Sequence, residues 1–270
     1  MTSKTITVAG DGHFHLYPCH DPVRSISSLV HNLGSLAASA GADWQKDNIF
    51  KIAFLAESKQ NDYFHKILTH EISFGENGYE LAAGPEEHCV SFSKHGRQEL
   101  CLVAGRQVVT AEKLEILALA LETIVPDGLP AEETVERVIT LGGLPVLAFS
   151  PGKWLFKRGN IALKLIERYG NALIVGDSAL RPLGWGRPAI MRRPGVIILP
   201  GSDPLPLAGD DKYAGCYGFV YQGSFNVSRP LTAMKQIIAD APSAIMPAGR
   251  RCSFINVAGR LFRLAKSKKN

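Results

Sequence analysis

Ile6-Thr7-Val8-Ala9-Gly10-Asp11-Gly12-His13-Phe14-His15-Leu16-Tyr17-Pro18 is the stretch from which the chain is best read. It opens as an apolar, β-branched run of strand length and closes with Asp11, His13 and His15 at i, i+2 and i+4. On an extended backbone alternate side chains share a face, so the spacing predicts that these three point the same way. Gly10 and Gly12 leave room around them. Two imidazoles and a carboxylate at the end of a strand are ligands for a divalent metal. The alternative is a pair of histidines in a polar loop after an edge strand.

The chain has 270 residues, of which 46% are hydrophobic and 20% charged, enough to bury a large core. That length fits a single domain over residues 1–270. The net charge of +5 is partly carried by the tail Lys266-Ser267-Lys268-Lys269, and the excess leads us to expect no nucleic-acid partner. Five scattered cysteines in no Cys-x-x-Cys spacing imply reduced thiols and a cytoplasmic setting. Met1-Thr2-Ser3-Lys4 leads straight into a strand, and no apolar run of about 18 residues occurs, so neither export nor membrane association is expected. Oligomeric state is not legible.

Asp21 is placed to cap a helix with Pro22 at its first position, followed by Ile26, Leu29, Val30, Leu33 and Leu36 at helical spacing. Residues 49–58 form a nearly continuous apolar strand ending at Glu57, either a ligand or one half of an ion pair. Asn61 to Leu68 reads as a short helix. Cys89–Ser93 and Glu99–Val103 flank Lys94-His95-Gly96-Arg97 as a hairpin, so residues 71–110 read as an antiparallel insertion. Val108-Val109 reads as a strand, and 111–122 and 131–141 as helices, the second stopped by Gly142-Gly143. Apolar strands then end at Phe149, Asp177 and Asp203, and helices follow at 161–169, from Ser228 to Asp240, and from Phe254 to Leu264.

Asp11-Gly12-His13-Phe14-His15-Leu16 resembles the first motif of the amidohydrolase-like metal-dependent hydrolases, above all the polymerase-and-histidinol-phosphatase (PHP) family. Gly201-Ser202-Asp203 after an apolar strand resembles that family's Gly-Ser-Asp-Ala-His signature. Three family histidines are replaced, by Ser58, Ser150 and Leu205. The resemblance implies an α/β fold, a TIM-like (β/α) barrel of the distorted seven-stranded PHP type, with metals at the C-terminal ends of its strands. It implies one or two divalent ions (Zn, Mn or Fe) held by His13, His15 and Asp203, with Glu57 and Asp11 as further ligands.

Two functions follow. The first is a metal-dependent hydrolase, a phosphoesterase, in which Asp203 or Glu57 takes the proton of an activated water. Its small anionic substrate would be held by Lys157, Arg158, Asp177 and Arg181, in segments that also carry Lys153, Trp154, Trp185 and Arg187. The alternative for these cations is that they are solvated, or pair with Asp177 and Glu57. The second function is a catalytically degenerate binding or scaffold protein with a partial metal site.

Overall fold

The structure, a computed structural model, describes residues 5–43, 48–58, 61–150, 152–154 and 156–267. The expectations placed on residues 1–4, Pro151, Lys268 and Lys269 lie outside these. Among the described residues the chain forms thirteen strands and six α-helices. In order they are β1 (Ile6–Phe14), α1 (Pro22–Ser39), β2 (Ile49–Leu55), β3 (Glu57–Ser58), α2 (Tyr63–Leu68), β4 (Glu80–Ala83), β5 (Cys89–Lys94), β6 (Arg97–Val103), β7 (Gly105–Val109) and β8 (Glu115–Leu119). There follow α3 (Ala131–Thr140), β9 (Leu144–Ala148), α4 (Lys157–Tyr169), β10 (Ile174–Ser178), β11 (Ile198–Gly201), β12 (Tyr217–Gly223), α5 (Pro230–Asp240), β13 (Met246–Gly249) and α6 (Phe254–Ser267).

The α/β class holds, but the expected closed ring of parallel strands is not found among the described residues. The strands form two sheets, one of order β13-β12-β1-β2-β6-β5-β4 and one of order β11-β10-β9-β8-β7-β3. Parallel pairs (β1 with β2, β9 with β10, β10 with β11) are mixed with antiparallel ones (β1 with β12, and β8 with both neighbours). The two sheets meet twice. At one join β2 runs into β3 with only Ala56 between them. At the other, the end of β1 lies against the end of β11, and the Asp203 amide donates to the His13 carbonyl at 2.8 Å. That approach requires glycine, since a Cβ on Gly201 would sit 2.3 Å from the His13 nitrogen and one on Gly12 would sit 2.4 Å from Leu199 Cγ.

A core fed by both sheets lies between them, with Val8, Ile52, Phe54, Leu117, Val146 and Leu199 all buried in it and α5 covering one end. Alternate residues of the same strands pack outward. Ala53 and Leu55 of β2 meet α1, and Leu147 and Val175 meet α3 and α4. Strands buried on both faces read as unbroken apolar runs, as seen here. Each fully buried Phe or Leu contributes about 1.5–3 kcal/mol, so the inward rows are costly to interrupt.

The cap of α1 forms as expected, the Asp21 carboxylate accepting the Arg24 amide at 3.0 Å with Pro22 in the first turn. The hairpin forms as β5 and β6. Strand β6 lies parallel to β2, and the following strand β7 pairs with β8 in the other sheet. The helix expected over 111–122 is instead the turn after Thr110 and strand β8. Thr110 N donates to the Leu114 carbonyl, and Lys113 takes a left-handed φ of 63°. Glu-Ile-Leu-Ala-Leu has good helix propensity, but burial of Leu117 and Leu119 on one face and of Leu114 and Ile116 on the other decides for a strand. The expected helix over 161–169 begins four residues earlier, so Lys157 and Arg158 sit in the first turn of α4 rather than in a loop.

Candidate metal centre

Which residues reach the site follows from alternation along each strand. On β2 and β3 the inward row is Ile52, Phe54, Ala56 and then Ser58, and on β9 it is Val146, Ala148 and then Ser150. On β11 it is Ile197 and Leu199, then Gly201 and Asp203. On β8, which runs the other way, the row Leu119, Leu117 arrives at the same end of the sheet with Glu115. On β1 the alternation is broken. Asp11 pairs with Ala53 but Phe14 with Leu55, so one extra residue bulges between them. Ala9 and Asp11 therefore face outward, as do Phe14 and Leu16 beyond the bulge, whereas His13 and His15 face inward.

At this end three ligand atoms converge. His13 Nε2 and His15 Nε2 are 2.9 Å apart, and Asp203 Oδ1 lies 3.7 and 3.6 Å from them. Metal–nitrogen and metal–oxygen bonds of about 2.0–2.1 Å in a tetrahedral shell put neighbouring ligand atoms roughly 3.3–3.4 Å apart. The triangle brackets that spacing, and two imidazoles with a carboxylate are a fitting donor set for a divalent ion. Gln107 Oε1 lies 3.2 Å from His13 Nε2 and adds a fourth polar atom. Burial, reinforced by the neighbouring charge of His13, pushes the His15 pKa well below its ordinary value, so that ring is held in the neutral form that binds metal. Burial raises the Asp203 pKa, against the opposing effect of His13. Asp203 itself has a left-handed φ of 50°, an uncommon strain for a non-glycine residue and one often found at functional sites.

The structure places the other expected ligands elsewhere. Asp11 is wholly buried on the outward face, and both its oxygens are in use. Oδ1 accepts the His13 and Ser202 amides, each at 2.9 Å, and Oδ2 accepts the Gly215 amide at 3.0 Å and the Ser202 hydroxyl. It braces the site without facing it. Glu57 is one residue out of step with Ser58 and faces away. Its Oε1 accepts the Tyr63 and Phe64 amides at the start of α2, and Arg106 Nη1 stands 3.9 Å from Oε2. It lies neither among the metal donors nor where it could take a proton from the site.

The expected anion grip is likewise elsewhere. Asp177 is on the outward row of β10 and is held bidentately by Arg181 at 2.7 and 2.5 Å, with the Tyr217 hydroxyl donating to it at 2.8 Å. Arg181 is spent on this buried pair and on the Trp185 carbonyl. Its flank borders a separate apolar cavity of about 640 Å³ with Trp154 and Trp185. Lys157 is exposed, and Arg158 donates weakly to the Gly152 carbonyl at 3.4 Å. None of these cations lines the metal cavity. The pairing alternative describes Arg181.

The cavity lined by His15 and Asp203 has a volume of about 500 Å³. Its walls include Tyr17, Gln107, Glu115, Lys153, and the three positions where the PHP resemblance has histidine, Ser58, Ser150 and Leu205. Sequence reasoning missed Gln107 and Glu115. The available signal was the strand pattern of 115–119, which would have brought Glu115 into line with Leu117 and Leu119.

No family model matches the chain, and no curated protein matches it in sequence. Among solved structures it superposes on PsfC from Pseudomonas syringae PB-5123 with a TM-score of 0.54 at 14% identity, over 97% of this chain and 99% of that one. The chain shares the fold of PsfC. A weaker likeness, with a TM-score of 0.43 at 13% identity, is to Endonuclease Q in complex with a 27-mer duplex substrate carrying an abasic lesion at the active site. It covers 88% of this chain and 57% of the endonuclease, so the chain spans little more than half of that protein. The expectation of no nucleic-acid partner is withdrawn on this finding. A modest net charge over the whole chain does not describe the field at any one site. The five cysteines are all free thiols. Among the described residues no helix is long and apolar enough to cross a membrane.

Proposed function

We propose that this protein is a metal-dependent hydrolase of the PHP type, built as one domain, that acts on a phosphate ester. The observation that carries the reading is the triangle of His13 Nε2, His15 Nε2 and Asp203 Oδ1, matched in size and chemistry to one divalent ion. When bound, such an ion supplies Lewis acidity and lowers the pKa of water. The chain's own residues do the rest. Asp11 fixes the bulge that turns both imidazoles inward, and burial keeps His15 neutral. Asp203 Oδ2, not the atom turned toward the histidines, is the proton acceptor. Tyr17, its ring 5.0 Å from that of His15 between centroids, and Leu205 stand in the cavity wall beside the site. Both phosphomonoesters and nucleic-acid phosphodiesters belong in the substrate search.

A second reading, a binding protein with a vestigial site, is favoured by one observation. Ser58, Ser150 and Leu205 line the cavity and cannot supply the further imidazoles of a multinuclear centre. One experiment separates the two. Protein prepared without chelator or affinity metal is assayed for metal by mass spectrometry. It is then assayed for hydrolysis of p-nitrophenyl phosphate, bis-p-nitrophenyl phosphate and an abasic DNA duplex. The hydrolase reading expects one ion per chain and turnover that His13→Ala abolishes. A metal-free, inert protein of native fold gives the second reading.

A further inference from the structure

The cations expected to hold the substrate's charge, Lys157, Arg158 and Arg181, do not line the metal cavity. Among the described residues that line the metal cavity, Lys153 is the only lysine or arginine, beside the carboxylates Glu115, Asp127 and Asp203. Asp127 is occupied, accepting the Val109 amide at 2.8 Å. Glu115 pairs with the Lys153 ammonium. The lysine backbone is held in place by its amide donating to the Ser150 carbonyl at 3.0 Å, and the neighbouring Trp154 indole donates to the Ala148 carbonyl at 3.2 Å. Ser58 and Ser150, both small, line the same cavity as this lysine, His15 and Asp203.

We propose that Lys153 is the second cationic centre of the site, the group that takes a phosphoryl oxygen of the substrate, with Glu115 as the residue that positions its ammonium. This rests on the metal-dependent reading above. An ammonium has three N–H donors. The contact with Glu115 uses one and leaves two for a ligand. The Lys153 side chain is 40% exposed and that of Glu115 16%, so the ammonium is reachable from the cavity mouth while its partner is held in the wall. A lysine here replaces with a fixed charge what further metal ions would supply, at a site whose remaining ligand set suffices for one. Because β8 runs antiparallel to β9, its first residue, Glu115, lies at the end of the sheet from which β9 leads on to Lys153.

The test uses the full chain, inorganic phosphate as probe, and the variants Lys153→Met and Lys153→Arg. Each is loaded with Mn²⁺, its metal stoichiometry is measured, and phosphate is titrated in by calorimetry. The proposal expects one ion per chain in all three proteins. It expects phosphate to bind roughly ten-fold or more weakly to Lys153→Met, the loss typical of a charge-assisted contact, and nearly as well to Lys153→Arg as to wild type. Equal phosphate affinity in wild type and Lys153→Met overturns it, as does a wild type that binds no phosphate. If wild type takes up no metal, the metal reading fails by itself. The same titration on the metal-free proteins then decides Lys153, which stands if phosphate binding is lost in Lys153→Met and falls if it is absent from wild type or unchanged by the substitution.

Discussion

Asp11 and Ser202 lie 191 residues apart in the chain, yet the Asp11 carboxylate accepts the Ser202 amide at 2.9 Å with the same oxygen that accepts the His13 amide. One buried group thus sets the distance between the strand that carries both histidines and the residue that precedes Asp203. Asparagine cannot reproduce this, because its amide nitrogen would turn a donor toward a donor on one side. Asp11→Asn should lose about 2–4 kcal/mol of stability in urea unfolding and bind metal less tightly. Unchanged stability would refute this bracing role.

Glu57 gives a pH dependence with a defined sign. Burial, opposed by the Tyr63 and Phe64 amides and by Arg106, pushes its pKa up to about 7 from 4.5. The folded protein therefore holds this proton more tightly than the unfolded chain. The contribution is complete below pH 4.5, and it is lost as the pH rises toward 7. A shift of this size corresponds to about 3 kcal/mol. Glu57→Gln keeps an acceptor for the α2 amides, so its thermal stability should fall less steeply than that of wild type between these pH values and exceed it at pH 8. Parallel profiles for the two proteins would argue against the shift.

Arg181 is predicted to matter for stability and not for anions. Arg181→Ala removes the bidentate partner of the buried Asp177 carboxylate and leaves it the Tyr217 hydroxyl, a change worth about 3–5 kcal/mol. The loss should appear in ligand-free protein. Sulfate should protect wild type and the variant to the same extent, and a protection that depends on Arg181 would restore it to the binding machinery.

Metal removal should be visible without any substrate. An ion at 100 times its dissociation constant stabilises the folded state by about 2.7 kcal/mol, so EDTA should lower the melting temperature of metal-loaded wild type by several degrees. His13→Ala should already melt at the lower temperature and should not respond to chelator. A wild type indifferent to both EDTA and added Zn²⁺ or Mn²⁺ would argue against the ion.

The ligand types were legible because His-x-His and Gly-Ser-Asp are local patterns, and the apolar runs that deliver them are strong strand signals. Parity was not. Strands buried on both faces carry no polar alternation, so nothing in residues 49–58 or 172–177 says that Glu57 and Asp177 face outward while Ser58 faces the site. The bulge between Asp11 and Phe14 is equally hidden, since it adds one residue to a run that reads as regular, and it separates Asp11 from the histidines it seemed to accompany. The helix expected over 111–122 failed where packing on two faces outweighed propensity, and with it went Glu115 and the antiparallel course of β8. Among the described residues the strands make two mixed sheets, with β8 antiparallel to both neighbours and β12 antiparallel to β1, and this pairing is not written in the apolar runs.

The join between β1 and β11 has a consequence for how the molecule opens. His13 and His15 belong to the seven-stranded sheet and Asp203 follows the last strand of the six-stranded one, so an ion shared by the three would clasp two sheets along a line where the strands form no continuous ladder. Amide exchange at Asp203, whose partner is the His13 carbonyl, then reports the tightness of that clasp, whereas exchange inside β2, laddered on both sides by β1 and β6, does not. Metal occupancy would in this way set whether the two sheets fluctuate separately or as one cooperative unit.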